Sequence, residues 1–269
     1  MTVTAVSLVA LSKIYGPKPE TIWPLLAEGV PKADIQNRTG HVVALRDVSL
    51  DIAVGEVFVV MGRSGSGKST LLRMLNRLVE PTRGGARING VNICALDTAA
   101  LTQFRKTQVS MVFQHFGLLP HKTVLENVAF PLHLQNVAKV ERQERASAWV
   151  ARVGLSGYAH ALPGALSSGM QQRIGLARAL ITEAPLLLMD EPFAALDPLT
   201  RREMQDEVLR LKAEFNKTVI MISHDPLEAA RMGTKVAVLH EGHMAQVGTF
   251  KELTAQPASP EVRAFVAGF

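Results

Sequence analysis

The sequence has 269 residues, 47% of them hydrophobic and 20% charged, and a net charge of +5. This composition suits a chain with a sizeable core and excludes a disordered chain that is rich in charge and poor in apolar residues. The single cysteine, Cys94, excludes an intrachain disulfide. No apolar run approaches the roughly 18 residues needed to span a bilayer, and the N-terminus lacks signal-peptide features, so we expect a cytoplasmic chain.

Strand-like and helix-like segments alternate along the chain, which is the pattern of an α/β protein. Residues 42–52 alternate in polarity and predict a strand, and residues 56–61 are almost continuously apolar, as in a strand buried on both faces of a parallel sheet. Residues 62–67 are rich in glycine and break this pattern. Helical spacing follows over residues 69–78, and residues 109–113 predict another short strand.

The stretch from about residue 115 to 180 is mostly helical in its spacing, with breaks at Pro120, Pro163 and Gly164. It predicts a helical subdomain inserted into the sheet domain. The later predicted elements are strands at 186–190 and 218–223, a helix from Asp197-Pro198 to about Phe215, a short helix from Asp225-Pro226 to Gly233, a hairpin of 235–239 and 244–248, and C-terminal helices broken by Pro257 and Pro260.

Residues 62–69 read GRSGSGKS and match the motif G-x-x-x-x-G-K-[ST] at every fixed position. Gly65 and Gly67 let successive backbone N–H groups point inward as an anion-binding nest, and the following helix N-terminus adds positive partial charge. Lys68 can reach the β- and γ-phosphates of a nucleotide, and the Ser69 hydroxyl can bind Mg²⁺. The motif therefore predicts a nucleoside triphosphate site.

Two carboxylates follow the buried strand in the segment LLLMDEP, residues 186–192. Ligands of parallel α/β sheets bind at the carboxyl ends of the strands, where Asp190 and Glu191 stand. We expect Asp190 to hold Mg²⁺, directly or through its water shell, and Glu191 to act as the general base that activates water.

Six motifs in fixed order resemble those of ABC ATPases. They are the phosphate loop, Gln114 at the end of VSMVFQ (the Q-loop), LSSGMQQ at residues 166–172 (the signature), the acidic strand end, Ala195-Leu196-Asp197 (the D-loop), and His224 after IMIS (the switch histidine). The resemblance implies a P-loop NTPase with a mostly parallel core sheet, an antiparallel N-terminal β-subdomain and the inserted helical subdomain, in a single ATPase domain over residues 1–269.

The resemblance also implies roles for individual residues. Glu191, His224 and Gln114 are expected to support hydrolysis, while Ser69, Gln114 and Asp190 hold Mg²⁺. ABC ATPases dimerise head to tail, so the signature of one copy closes over the γ-phosphate that the other copy holds. The implied nucleotide-binding residues are Tyr15, which fits the adenine-stacking position, Gly62, Arg63, Ser64, Gly65, Ser66, Gly67, Lys68, Ser69, Thr70, Ser167, Ser168, Gly169 and Asp197. Ser168 replaces the family's usual glycine, and the effect on the rate of hydrolysis stays open.

An insertion of about residues 17–40, largely helical in pattern, separates Tyr15 from the first core strand. It is similar to the insertion of ATP-binding subunits of glycine betaine, proline betaine and choline importers, as are the segments FVVMGRSGSGKSTLLRMLNRLVEPT and LLLMDEPFAALDPLTRREMQDEV. Arg63 stands where leucine is expected in that branch. The chain stops at Phe269, and we expect no C-terminal regulatory module.

The resemblance predicts the ATP-hydrolysing subunit of an importer for a quaternary amine, held at the cytoplasmic face of the membrane by permease subunits and served by a periplasmic binding protein. Importers of histidine, proline or trimethylamine N-oxide are alternatives. An ABC ATPase of DNA repair or translation, or a regulator that binds ATP without hydrolysis, is less favoured, and we expect no nucleic-acid partner. The apolar segment at residues 115–127 offers either a permease groove or simple core packing.

Overall fold

The structure, a computed structural model, describes residues 3–266 in two units. One unit comprises residues 3–97 together with 222–266, and the other comprises residues 98–221. The predicted limits of the ATPase domain, residues 1 and 269, lie outside the described residues. The division into a sheet domain and a helical subdomain at about 115–180 stays a prediction.

The strands and helices alternate along most of the chain. The strands are β1 (Thr4–Tyr15), β2 (Val42–Ala53), β3 (Val57–Met61), β4 (Arg83–Ile88), β5 (Val91–Asn92), β6 (Val109–Val112), β7 (Leu186–Asp190), β8 (Thr218–Ile222), β9 (Lys235–His240) and β10 (His243–Gly248). The α-helices are α1 (Trp23–Ala27), α2 (Lys32–Thr39), α3 (Lys68–Leu75), α4 (Thr98–Thr107), α5 (Val124–Leu134), α6 (Lys139–Arg152), α7 (Ser168–Leu180), α8 (Pro198–Glu214), α9 (Pro226–Met232), α10 (Phe250–Ala255) and α11 (Pro260–Val266). Short 3₁₀ turns lie at Pro19–Ile22, Ile93–Ala95, Ser156–Tyr158 and Pro163–Ala165.

The first unit contains an antiparallel sheet with the strand order β2-β1-β4-β5. β1 is the central long strand, and Val6 faces Ile52 on one side and Ile88 on the other. No sequence pattern predicted β1, β4, β5 or α4. In β1 the reason is visible, because Ala10 adopts a φ of 48° and the pairing register shifts around it, which interrupts the alternation that marks a strand.

The same unit holds β3, β9 and β10, in which β9 pairs in parallel with β3 and antiparallel with β10. Every residue of β3 is buried, as its continuous apolar sequence predicts. In the second unit the strand order is β8-β7-β6, with β6 and β7 parallel. The predicted α/β fold class, with parallel core strands and an antiparallel N-terminal sheet, is confirmed.

The segment between β1 and β2 folds into the 3₁₀ turn at Pro19–Ile22 and the helices α1 and α2. Its apolar side chains Ile22, Leu26 and Ile35 form one buried cluster with Ile14 of β1 and Val43 of β2. His41 closes the segment, because its Nε2 lies 2.6 Å from the carbonyl oxygen of Pro17. The segment is therefore anchored on the antiparallel sheet.

Helices α5, α6 and α7 of the second unit share a buried apolar core that includes Val128, Val150 and Ile174. A capping box begins α5, since the Thr123 hydroxyl accepts from Glu126 N and the Glu126 carboxylate accepts from Thr123 N. Among residues 3–266, no helix is both long and apolar enough to cross a membrane.

Candidate nucleotide-binding site

The phosphate loop, residues 62–69, connects the buried strand β3 to helix α3, as its sequence predicts. Lys68 is 7% exposed, and its Nζ donates to the carbonyl oxygens of Gly62 at 2.7 Å and Arg63 at 3.0 Å. The ammonium group is thus held inside the curve of the loop. A lysine placed there, together with the backbone N–H groups at the start of α3, fits a polyphosphate ligand.

Glycines shape this loop through positive φ angles, 150° at Gly62, 77° at Gly65 and 107° at Gly67. A Cβ atom on Gly67 would lie 2.3 Å from the Ala44 carbonyl oxygen, and one on Gly62 would lie 2.2 Å from the Leu239 carbonyl oxygen. The loop therefore packs against the backbone of its neighbours at a distance that only glycine allows.

The hairpin between β9 and β10 supports the loop from outside. The backbone N–H of Gly242 donates to the Ser66 carbonyl oxygen at 3.1 Å, and the Gly242 carbonyl oxygen accepts from Arg46 N at 2.9 Å. Residues 241 and 242 marked a hairpin in the sequence, but no local signal connects that hairpin to a loop more than 170 residues earlier.

Tyr15 ends β1 and lies beside the first turn of α3. Its hydroxyl is 3.4 Å from the Thr70 hydroxyl, and its side chain is exposed. The Lys13 ammonium lies 4.9 Å from the centre of its ring. The structure thus brings Tyr15 next to the phosphate loop, and its adenine-stacking role stays a prediction.

His224 belongs to the same unit and is exposed directly after the end of β8. The preceding residue, Ser223, is fixed on both sides, since its N–H donates to the Val60 carbonyl oxygen at 3.2 Å and its hydroxyl donates to Glu228 at 2.6 Å. Asp225, the next residue, caps α9 through Leu227 N at 2.8 Å. His224 is therefore held between two anchored neighbours, one of which bonds to the strand that leads into the phosphate loop.

The acidic pair lies in the other unit, at the end of β7. Asp190 is 5% exposed, and Glu191 adopts a left-handed φ of 45°. A non-glycine residue in this region carries some backbone strain. Gln114 Nε2 donates to Glu191 Oε2 at 3.1 Å, so the structure brings together two predicted residues that lie 77 positions apart.

The segment after Gln114 is held by a residue that the sequence analysis did not select. The Arg178 guanidinium of α7 donates to the carbonyl oxygens of Phe116 and Gly117, each at 2.7 Å. Burial lowers the pKa of Arg178 from its ordinary value. Phe116 and Gly117 both have positive φ angles, and this bond pair fixes their turn. Arg178 stands in the predicted signature helix, but nothing in the sequence indicates where its side chain points.

The predicted signature residues begin α7. Ser167 is the N-cap and its hydroxyl accepts from Met170 N at 3.3 Å, while Ser168 is exposed at the first helical position. Gly169 is buried against α8, where a Cβ atom would lie 2.7 Å from the Thr200 methyl group. The exposed N–H groups at this helix start are compatible with an anion, as the sequence predicts.

Asp197 is the N-cap of α8, where its carboxylate accepts from Leu199 N and Thr200 N, each at 3.1 Å. Hydrogen bonds from the side chain and backbone of Thr200, followed by that from Leu199, lower the pKa of the Asp197 carboxyl. The predicted helix start is confirmed, and a role of Asp197 in nucleotide binding stays a prediction.

An apolar cavity of about 460 Å³ lies in the second unit beside Gln114. It is lined by residues of α4, β6, α5 and α7 and by the turn after Gln114, among them Phe113, Gly117, Leu119, Phe130, Leu134 and Arg178. Gly117 and Leu119 belong to the apolar segment for which the sequence left both a groove and core packing open. The side chains of Phe113 and Leu134 are both exposed, so the cavity opens to the surface.

Comparison with known proteins places this geometry in a family. Residues 45–194 match the family described as ABC transporter. The chain is 48% identical over 258 residues to the glycine betaine/proline betaine transport system ATP-binding protein ProV of Salmonella typhimurium, a match that covers 96% of this chain and 64% of ProV. The chain therefore spans just under two thirds of the length of that relative.

Two further matches cover a larger share of the matched protein's own length than the match to ProV does. The trimethylamine N-oxide transport system ATP-binding protein TmoW of Ruegeria pomeroyi is 45% identical over 253 residues, which is 94% of this chain and 74% of TmoW. The dimeric structure of the ATP-binding cassette MJ0796, in a post-hydrolysis state bound to ADP and Pi, is 32% identical, with a TM-score of 0.77 over 91% of this chain and 98% of that one. On these matches the chain belongs to the ABC transporter family of ATP-binding proteins.

Proposed function

We propose that the chain is the ATP-binding and ATP-hydrolysing subunit of an importer for a quaternary amine or betaine-type compound. The observation that carries the ATPase function is the phosphate loop, in which the buried Lys68 is held over a backbone curve that glycines alone permit. The observation that carries the transport class is 48% identity to a glycine betaine/proline betaine ATP-binding protein over almost the whole chain.

ATP is bound with its phosphates in the loop of residues 62–69 and its adenine on Tyr15. Lys68 exchanges the carbonyl oxygens of Gly62 and Arg63 for the β- and γ-phosphates. The loop's N–H groups and the start of α3 add further donors. The proximity of the Tyr15 hydroxyl to Thr70 supports this arrangement, since it puts an exposed aromatic ring beside the loop.

Ser69, Gln114 and Asp190 would hold the Mg²⁺ that accompanies ATP. All three supply oxygen atoms, the ligands that Mg²⁺ prefers, and such ions are usually bound by few protein groups together with substrate phosphates. When bound, the ion would supply positive charge that offsets the negative charge developing on the phosphates during hydrolysis. The position of Asp190 at the carboxyl end of β7 supports this role, because ligands of parallel sheets bind at that end of the strands.

Glu191 is the general base that accepts a proton from the attacking water. Gln114 orients it through the 3.1 Å hydrogen bond from its Nε2 to Glu191 Oε2. His224 contacts the γ-phosphate and orients the same water. Its fixed neighbours Ser223 and Asp225 support a preset position for the imidazole.

Two copies act together, head to tail. Ser167, Ser168 and Gly169 of one copy close over the nucleotide of the other, and Asp197 lies at the same interface. The dimeric state of the MJ0796 cassette supports this assembly. The cavity beside Gln114 receives a helix of the permease, so that ATP binding and hydrolysis act on the membrane partner, which holds the chain at the cytoplasmic face and receives substrate from a periplasmic binding protein.

The first experiment measures phosphate release and ATP binding by wild type, Glu191→Gln and Lys68→Ala. Glu191→Gln should lower kcat about 10²–10⁴-fold, the usual contribution of a general base, while ATP binding is retained. In Lys68→Ala, ATP binding itself should be lost. Wild-type turnover by Glu191→Gln would remove Glu191 from the mechanism, and wild-type binding by Lys68→Ala would refute the phosphate site.

The second experiment concerns the transported compound and measures uptake of labelled glycine betaine in cells with and without the gene. Unlabelled choline, proline, histidine and trimethylamine N-oxide serve as competitors. We expect deletion to abolish uptake, and wild type but not Lys68→Ala to restore it. Trimethylamine N-oxide is the second candidate substrate, because TmoW is 45% identical to this chain. Unchanged uptake of every compound would refute the substrate class and leave the ATPase function intact.

A further inference from the structure

A second lysine contacts the phosphate loop. Lys32, the first residue of α2, places its Nζ 3.4 Å from the Gly65 carbonyl oxygen. Gly65 has a φ of 77°, and a Cβ atom there would meet nothing within 4 Å, so its side-chain position is open. The contact with Lys32 restrains the backbone of the loop at this glycine, a residue type with a wide choice of backbone conformations.

Helix α2, which carries Lys32, is firmly anchored. Ile35, three residues after Lys32, is fully buried in the cluster that joins α2 to β1 and β2. The end of α2 is closed by Gly40, whose N–H donates to the Gln36 carbonyl oxygen at 2.8 Å. Lys32 thus projects from an anchored helix, and only its four-carbon side chain needs to move.

Lys32 and Lys68 hold separate parts of the loop backbone. Lys68 binds the carbonyl oxygens of Gly62 and Arg63, and Lys32 binds that of Gly65. Lys68 is buried, whereas Lys32 is half-buried at the surface. An ammonium group beside the loop adds positive potential at the place where a polyphosphate binds, and a half-exposed charge acts at reduced strength because water screens it.

The surroundings of Lys32 are mixed in charge. The hairpin that supports Ser66 carries His243, whose pKa is lowered by burial and by the cations Arg46 and Lys32, against the acids Asp47 and Glu241. Arg46 is paired with Asp47 at 3.7 Å, and Lys32 contacts the loop through the Gly65 carbonyl oxygen.

We propose that Lys32 is a further nucleotide-binding determinant of this site, a positioning residue that holds the Gly65 carbonyl and whose charge favours the triphosphate over nucleotides with fewer phosphates. This inference rests on the proposed ATP site. It assigns to the segment between β1 and β2 a direct part in ligand selection, since that segment alone brings Lys32 to the loop.

The test measures the affinities for ATP, ADP and AMP by calorimetric titration of the full chain. Lys32→Gln removes the charge and puts a shorter, neutral amide donor in its place, and Lys32→Arg keeps the charge. We expect Lys32→Gln to weaken ATP binding about three- to tenfold, ADP binding less, and AMP binding less than about twofold, because the lost attraction scales with ligand charge. Lys32→Arg should restore ATP affinity, and about 0.5 M salt should shrink the difference between wild type and Lys32→Gln.

Lys18→Gln is the matched control, since Lys18 is an exposed lysine of the same inserted segment and the variant makes the same charge change. It should leave all three affinities unchanged. Equal losses for ATP and AMP in Lys32→Gln, or none, with normal ATP binding by wild type, would overturn the role of Lys32 and leave the proposed function standing. Failure of wild type to bind ATP would overturn both. If Lys32→Gln lowers thermal stability and so weakens binding indirectly, the comparison of Lys32→Arg with wild type tests the role of the charge. Loss of the preference for ATP in a folded Lys32→Arg variant would contradict that role.

Discussion

Replacing Gly67 by alanine tests whether the phosphate loop depends on close backbone packing. Gly67 combines a φ of 107° with a position at which a Cβ atom would lie 2.3 Å from the Ala44 carbonyl oxygen and 2.8 Å from Leu45 Cδ2. A side chain at this position would therefore be disfavoured twice, by the backbone conformation and by overlap with β2. The variant should destabilise the first unit and also displace the loop from its place against β2.

The expected size follows from these two effects. An alanine in a sparsely populated positive-φ conformation costs about 1–3 kcal/mol. Real Cβ contacts essentially never fall below 3.0 Å, so backbone must shift, and such overpacking costs a further 1–3 kcal/mol or so. The free energy of unfolding should fall by about 2–6 kcal/mol, with Tm lower by about 2–4 °C for each kcal/mol.

The matched control is Gly90→Ala in the turn between β4 and β5 of the same unit. Gly90 has a φ of 81°, and a Cβ atom there would meet nothing within 4 Å. This variant carries the conformational cost alone, so the two variants should differ by about 1–3 kcal/mol. Tm is measured by calorimetry and ATP affinity by titration, and we expect only Gly67→Ala to lose ATP affinity.

An equal loss of Tm in the two variants would refute the packing argument, because the overlap with Ala44 would then cost nothing. Wild-type ATP affinity in Gly67→Ala would refute the claim that the loop requires its place against β2. Loss of ATP affinity in Gly90→Ala, which lies outside the phosphate loop, would point to general misfolding of the unit.

Two further predictions concern the second unit. The Thr123 backbone N–H lowers the pKa of Glu126 below its ordinary value of 4.5, so the stabilisation by this carboxylate is fully present above that value and is lost as pH falls through the lower folded-state pKa. The Tm difference between wild type and Glu126→Gln should therefore be largest above this ordinary value and should shrink as pH falls below it, and a difference that stays constant with pH would contradict the assignment. Arg152 lies 5.3 Å from the Trp149 ring centre and 5.1 Å from that of Phe215, so Arg152→Ala should lower the free energy of unfolding by about 1–2 kcal/mol in urea titrations. Arg152→Lys keeps the charge without the planar stacking and should recover less than half of that loss; full recovery would assign the effect to charge alone.

Much of the candidate site was predictable because its determinants are local. The phosphate loop needs eight consecutive residues, a buried strand before them and a helix after them, and all three lie within one short segment of the sequence. The same holds for the starts of α7, α8 and α9, where Ser167, Asp197 and Asp225 accept hydrogen bonds from N–H groups two or three residues later.

Other features depend on contacts between distant segments, and no local pattern encodes them. β1 was not predicted because the bulge at Ala10 hides its alternation, and its identity as a strand comes from pairing with β2 and β4. Arg178 gave no signal in the sequence, since its role depends on two carbonyl oxygens about 60 residues away.

By itself the sequence predicted which residues meet a triphosphate, because the charges, glycines and caps of that chemistry lie close together along the chain. Only the tertiary structure decided what holds those residues in place. Gly242 bonds to Ser66, Lys32 reaches Gly65, and Gln114 donates to Glu191, each across a long stretch of chain. Such pairs form when buried strands and helices bring their ends together, and the geometry of that packing is a property of the whole fold.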